Sequence, residues 1–393
     1  MVLEPSSVST IIRFIRSSYE FNYVLAQNNR IFGIATNKIY TSMIIEKIAE
    51  SKFNDSVFES KVFGKNFTDH MLVATYKDGQ WSEPKIMPYG PLEFTPAAMA
   101  FHYGQAIFEG MKAYKNENDE VFIFRPEKNF ERFNLSAERL NMPTVPEEIF
   151  MEGIKTIVDL DRQWVPKDYG TSLYIRPTMF ATEEAVSARA SNEYMFVVLL
   201  AYAPNYYDKP LSVKIADYFS RSAQGGVGFA KCAGNYAASF YPATQAQKEG
   251  YDQVIWTDSI EHKYIEEAGT MNVMVRIGDK LLTAPTSERI LNGVTRDSIL
   301  TLAKDAGIDV EIRPVAVQEM YDAHKEGQLK EVFGCGTAVV VNAYNAVGFA
   351  EERAEIALLP EDESFASILK NKLKDIQYGL VEDPYGWRVK VGK

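Results

Sequence analysis

Cysteine is nearly missing from this chain: Cys232 and Cys335 are the two present in 393 residues, far apart and outside any C-x-x-C pair. A disulfide framework and a cysteine-based zinc site are therefore excluded, and a reducing, cytoplasmic location is expected. No stretch reaches the roughly 18 consecutive apolar residues of a membrane-spanning helix, so no membrane partner is expected. Basic residues are outnumbered, 42 against 53 acidic, leaving a formal net charge of −11 with no Lys/Arg run. Such a surface repels a phosphate backbone, and nucleic acid is not expected as a partner. Internal repeats and low-complexity tracts are absent as well.

What is present is core-forming sequence, 46% hydrophobic by residue, enough for two domains of mixed α and β structure. Residues 1–42 differ from the rest, with Arg13, Arg16, Arg30 and Lys38 against Glu4 and Glu20. They read as an N-terminal extension before an original start at Met43, or as a transit peptide built on the basic amphipathic stretch SVSTIIRFIRSS. Residues 43–205 are expected to form a smaller N-terminal α/β domain, with strands at VFIFRP, SLYIRP and YMFVVLLAY and a helix through KNFERFNLSAERL. The Pro-rich APNYYDKP reads as a linker. Residues 206–393 are expected to form a larger domain, with a hairpin turn at Gly278-Asp279 and a helix through TRDSILTLAKDAG capped by Gly307.

The stretch GGVGFAKCAGNY, from Gly225 to Tyr236, sets one lysine among four glycines. It is not a phosphate-binding P-loop, which requires G-x-x-x-x-G-K-[ST], whereas Lys231 follows Ala230 and precedes Cys232. Small neighbours leave room for a flat ligand at the amine, and lysine is the residue that forms Schiff bases. Taken alone, the stretch fits a solvent-facing lysine in a loop better than a reactive one. Two further patterns change that. In IEEAGTMNV, Glu266 and Glu267 point to opposite faces of a strand, so one can meet a cationic ring nitrogen while the other faces water. In LNGVTRDSIL, Gly293, Val294 and Thr295 open a helix whose free N–H groups suit an anion. A second glycine-rich turn, FGCGTAVVV, offers Thr337 to the same anion. A monophosphate seat, a Schiff-base lysine and a carboxylate for a ring nitrogen together describe pyridoxal 5′-phosphate.

FHYGQAIFEGMKAY, GGVGFAKCAGNYAAS, EEAGTMNVMV, LNGVTRDSIL and GCGTAVV, in that order, resemble branched-chain amino acid aminotransferases of the D-alanine aminotransferase-like class. The resemblance runs from about Phe63 to the C-terminus. It implies an α/β fold of the α+β type, the two-domain fold-type-IV architecture of pyridoxal-phosphate enzymes, and a homodimer or higher homo-oligomer with active sites near the subunit interface. The implied reaction is ping-pong transfer of the amino group of leucine, isoleucine or valine to 2-oxoglutarate, giving branched 2-oxo acids and glutamate.

Position by position, the resemblance makes Lys231 the catalytic residue, Glu267 the partner of the ring nitrogen and Tyr236 the partner of the phenolic oxygen. Arg132, Val294, Thr295 and Thr337 would hold the phosphate, Leu291 would pack on the ring, and Thr270 joins the cofactor set. Tyr103, Phe108, Tyr174, Arg176, Tyr206, Thr337 and Ala338 would shape the substrate site, with Arg176 on the same strand face as Tyr174 and assigned to the γ-carboxylate of glutamate. No metal is implied. Mammalian mitochondrial members carry a C-x-x-C pair just after GTA; here that stretch is VVVN, Val339 to Asn342, so thiol regulation of that kind is not expected. Relatives on the same fold, a D-amino acid aminotransferase or an aminodeoxychorismate lyase, would keep Lys231 and Glu267 with a different pocket.

Overall fold

A computed structural model of the chain describes residues 43–205, 209–350 and 352–392. The expectations placed on 1–42 and on Tyr206 fall outside the described residues. Nine strands precede residue 205: β1 (Ile44–Ile45), β2 (Phe67–Lys77), β3 (Gln80–Trp81), β4 (Lys85–Pro88), β5 (Ala106–Phe108), β6 (Met111–Lys115), β7 (Val121–Phe124), β8 (Ser172–Ala181) and β9 (Tyr194–Ala203). Helices α1 (Met99–Tyr103), α2 (Pro126–Arg139) and α3 (Gly153–Leu160) lie between them. The apolar run of β9 is central, hydrogen-bonded to β2 on one side and β8 on the other, which is why it shows no polar alternation. Strand β8 does alternate: Arg176, Thr178 and Phe180 are partly open while Ile175, Pro177 and Met179 are buried.

The second sheet is built from β10 (Leu211–Ile215), β11 (Gln253–Thr257), β12 (Ile265–Ala268), β13 (Met271–Ile277), β14 (Lys280–Thr283), β15 (Asp309–Ile312), β16 (Leu329–Gly336), β17 (Val340–Gly348) and β18 (Arg353–Glu355). Its order is β12-β11-β10-β17-β16-β13-β14-β15, and β12 also pairs with β13. That extra pairing closes six strands into a ring around a core that includes Val213, Ile255, Val273, Val332 and Val347. Helices α4 (Ala233–Lys248), α5 (Val294–Asp305), α6 (Val317–Lys325) and α7 (Phe365–Tyr378) accompany this sheet. A second core joins α5 and α7, through Ile299, Leu302, Leu369 and Leu373, to Phe333 of β16 and Tyr114 of β6. The chain finally returns: β19 (Arg388–Val391) pairs with β7 at the edge of the first sheet.

Most local expectations hold. Gly278 and Asp279 form the two-residue turn of the β13–β14 hairpin, and Gly307, at φ +73°, follows the end of α5. One does not. Phe333 to Gly336, read as a glycine turn, continue strand β16, and the turn itself is Thr337–Val339. Gly334 serves packing there: a Cβ on it would lie 2.2 Å from the Tyr344 hydroxyl.

Candidate active site

Helix α2 shows how the sequence builds the floor of the site. Asn129, Arg132 and Ser136, spaced three and four apart, share its buried face with Phe133 and Ala137. Polar groups on a buried face need partners, and each has one. Arg132 grips Glu109 with Nε at 2.6 Å and Nη2 at 2.8 Å, and its Nη1 donates to the Asn292 carbonyl at 2.8 Å. Asn129 adds a 2.7 Å hydrogen bond to Glu109. Glu109 is fully buried; burial opposes its charge, but Arg132 holds its carboxyl below the ordinary range. Ser136 Oγ accepts the backbone N–H of Lys231 at 2.9 Å, and Phe108 N–H donates to the Lys231 carbonyl at 3.0 Å. Lys231 is thus fixed by its backbone between α2 and β5.

Its glycine neighbours are there for close approach. A Cβ on Gly228 would stand 2.1 Å from Ser222 Oγ and 2.5 Å from the Arg289 carbonyl, so only glycine lets this loop lie against the segment before Leu291. The loop then enters α4, and Tyr236, in its first turn, meets Lys231: Nζ donates to the Tyr236 hydroxyl at 2.8 Å. The amine also lies 4.8 Å from the Phe108 ring centroid.

Both carboxylates of the EE pair are buried, which corrects the expectation that one faces water. They do point opposite ways. Glu266 forms an ion pair with Arg289. Glu267 faces the cavity, accepts the Leu291 N–H and lies 3.1 Å from Arg221 Nε. Burial pushes the Glu267 carboxyl above its ordinary range, against the pull of Arg221. Asn272, opposite Glu267 across the β12–β13 ladder, donates to the Leu291 carbonyl at 3.0 Å.

Lys231, Tyr236, Glu267, Arg132, Arg221 and Asn272 line one cavity of about 590 Å³ between the two sheets. Of the residues singled out in the sequence, Phe108, Arg132, Tyr174, Arg176, Lys231, Tyr236, Glu267, Thr270, Leu291, Val294, Thr295, Thr337 and Ala338 all line it. Tyr103 does not: at the end of α1 it is 39% exposed and outside this cavity. Cys335 also lines the cavity, and burial pushes its thiol up to about 12, so it is an apolar wall and no nucleophile. Arg221, Asn272 and Glu109 were missed. Glu109 had a signal, a lone acid in the apolar run AIFEGMKAY that requires a buried cation; Arg221 and Asn272 had none.

The donor set fits pyridoxal phosphate. The N–H groups of Val294, Thr295 and Arg296 at the start of α5 have no acceptor among the described residues, and Thr295 is buried beside them. Gly293 leaves the cup open, since a Cβ there would fall 2.0 Å from Asn272 Oδ1. A dianion suits these N–H groups, Arg132 and the helix dipole. A ring nitrogen suits Glu267, whose carboxylate has unused lone pairs after Leu291 and Arg221 are served. For substrate, Arg176 donates to the Tyr174 hydroxyl at 2.9 Å and lies over the Phe108 and Tyr174 rings. Its Nε is buried with no acceptor among the described residues, which suits a carboxylate ligand.

A family model described as class-IV amino-transferase matches residues 106–343. A probable branched-chain-amino-acid aminotransferase of Staphylococcus epidermidis is 46% identical over 84% of this chain and 93% of its own. Branched-chain-amino-acid aminotransferase 2 of Bacillus subtilis is 43% identical over 84% of this chain and 92% of its own. Among solved structures, the branched-chain amino acid aminotransferase of Thermobaculum terrenum, in its pyridoxal-phosphate holo form, superposes with a TM-score of 0.66. At 21% identity, over 84% of this chain and 100% of that one, that likeness is one of fold. With the site's lysine, carboxylate and helix terminus all inside the matched segment, the chain belongs to the class-IV aminotransferases.

Proposed function

We infer that the chain is a branched-chain amino acid aminotransferase, moving the amino group of leucine, isoleucine or valine reversibly to 2-oxoglutarate. The observation that carries this is Lys231 Nζ standing on the Tyr236 hydroxyl in the same cavity as Glu267, the open end of α5 and Arg176. The names of the relatives at 43–46% identity favour it over a D-amino acid aminotransferase or a lyase.

Pyridoxal phosphate, when bound, supplies a carbonyl carbon for the amino group and a ring that accepts electrons. The chain does the rest. Val294, Thr295, Thr337 and Arg132 hold the phosphate end, and Leu291 packs on the ring. Glu267 keeps a proton on the ring nitrogen; Arg221 at its far oxygen keeps that carboxylate charged and oriented. Lys231 Nζ, aimed by Tyr236, would move a proton between the substrate Cα and the cofactor's carbonyl carbon, away from Cα in the half-reaction that takes up the amino group and back to Cα of the 2-oxo acid in the half-reaction that gives it up. Thr337 and Ala338 receive the α-carboxylate. Phe108 and Tyr174 accept a branched aliphatic side chain, while Arg176 receives the γ-carboxylate of glutamate in the same space, a charge that would otherwise cost several kcal/mol to bury.

The same reading includes a cytoplasmic homodimer. Both cysteines are free and buried, and Phe101, Phe240 and Tyr241 are each more than 60% exposed, an apolar surface suited to a second copy. Tyr103 would then reach substrate only in a neighbouring copy's cavity.

A panel of amino donors with 2-oxoglutarate tests the reading: leucine, isoleucine and valine turn over, and D-alanine does not. Arg176→Met should raise KM for glutamate and 2-oxoglutarate at least about tenfold more than KM for leucine, the cost of one lost charge-assisted contact. Equal losses for both classes would make Arg176 a structural residue and overturn dual recognition.

A further inference from the structure

The turn Thr337–Val339 has a second side, away from the cavity. Lys112 of β6 is 5% exposed, and its Nζ donates to the Ala338 carbonyl at 2.8 Å. Lys370 and Lys374, one turn apart on α7, line the same enclosed space, together with Tyr114 and Tyr378. No acid lines it. Asp375, next to Lys374 in the chain, accepts from the Tyr169 hydroxyl at 3.2 Å, and Lys374 lies over the Tyr169 ring at 3.8 Å. Three ammonium groups therefore converge on a space with no counter-charge among the described residues of its wall, an arrangement that burial makes costly. Their acidities follow: burial, then Lys374 and Lys370, push Lys112 down to about 7, and burial, then Lys370, take Lys374 to about 8 against the pull of Asp375.

We propose that this space binds one small inorganic anion of halide size, held by Lys112, Lys370 and Lys374 behind the Thr337–Val339 turn. The size follows from the volume. The space is small, about 10 Å³, at the lower limit for a single water-sized group and too little for a phosphate, so a halide would fit only with the flexible lysine side chains drawn around it. The anion offsets the mutual repulsion and keeps Lys112 charged on the Ala338 carbonyl. The turn needs such support: Val340, a β-branched residue, sits at φ +63°, a conformation that persists only when its surroundings enforce it. Anion binding should therefore tighten the amino acid site, a consequence that rests on Thr337–Ala338 receiving the α-carboxylate; the anion site itself does not.

Crystals of the holoenzyme soaked in sodium bromide should show an anomalous peak among the three Nζ atoms, absent in Lys370→Met/Lys374→Met. In solution, 0.3 M chloride in place of gluconate should raise Tm by about 1 to 3 °C in the wild type and not in that variant. A single Lys374→Gln variant serves if the double variant folds poorly. The pH dependence has a definite sign. Lys112 binds fewer protons folded than unfolded, so in gluconate its contribution to stability rises with pH from about 7 toward the unfolded value near 10.4. Chloride should move that rise to higher pH. The groups facing Lys112 are Lys370, Lys374, Tyr114 and Tyr378. KM for leucine should rise about threefold on replacing chloride by gluconate. A bromide peak and chloride-dependent Tm with an unchanged KM would remove the assigned role of Thr337–Ala338 and leave the anion site standing. No peak, or a peak with no change in Tm or pH profile, would mean an adventitious ion only and overturn the proposal.

Discussion

The reactivity proposed for Lys231 rests on what holds its backbone and on what meets its amine, and those are separable. Its N–H and carbonyl are bonded to Ser136 and Phe108, contacts that alanine keeps, so Lys231→Ala should fold with an unchanged Tm. Its turnover should fall at least about a thousandfold, because no other amine is proposed to hold the cofactor and move the Cα proton; substantial activity in the folded variant would refute the role. The two adjacent glutamates separate in the same way. Glu267→Gln removes the charge from the ring nitrogen's partner and leaves Arg221 buried without an anion, and should slow the proton-transfer step about a hundredfold or more. Glu266→Gln weakens the pair with Arg289 and should cost about 1 to 3 kcal/mol of stability with little change in that step. Single-turnover spectra beside thermal melts distinguish the two, and a reversed ranking would contradict the face assigned to each.

At the level of elements, the proposed phosphate seat is the start of α5, and its openness depends on a missing side chain. Gly293→Ala would drive a Cβ into Asn272 Oδ1, 2.0 Å away. Because Asn272 also ties down the Leu291 carbonyl, the whole approach to the helix must shift. Cofactor affinity should fall at least about tenfold, measured by dialysis and visible absorption, the equivalent of one lost charged hydrogen bond. Thr295→Val, which leaves the N–H groups in place, should cost only a few fold. Wild-type affinity in Gly293→Ala would place the phosphate elsewhere. This element was readable in advance, since a glycine followed by a helical apolar pattern marks an N-terminus within a few residues. Tyr103 lies apart from its own chain's cavity for a reason of the same scale: Gly104, in the left-handed region at φ +66°, ends α1 and turns the chain before Phe108, so two aromatics five residues apart part company.

For the molecule as a whole, the open aromatics on α1 and α4 predict self-association. Phe240→Glu/Tyr241→Glu should shift the protein from dimer to monomer in light scattering, with the charge of the new carboxylates opposing any return to an apolar interface; a persistent dimer would move the interface off α4. The motifs around Lys231, Glu267 and Val294 could be singled out from the chain alone because each is a local pattern within a contiguous stretch: a loop that needs glycine, a strand that alternates, a helix that begins. The pairing of Glu267 with Arg221, of Glu109 with Arg132, and of Lys112 with Ala338 across 226 residues was decided only by the folded chain. A buried charge must find its counter-charge or hydrogen-bond partner in space, and sheet order and register, not sequence distance, bring them together.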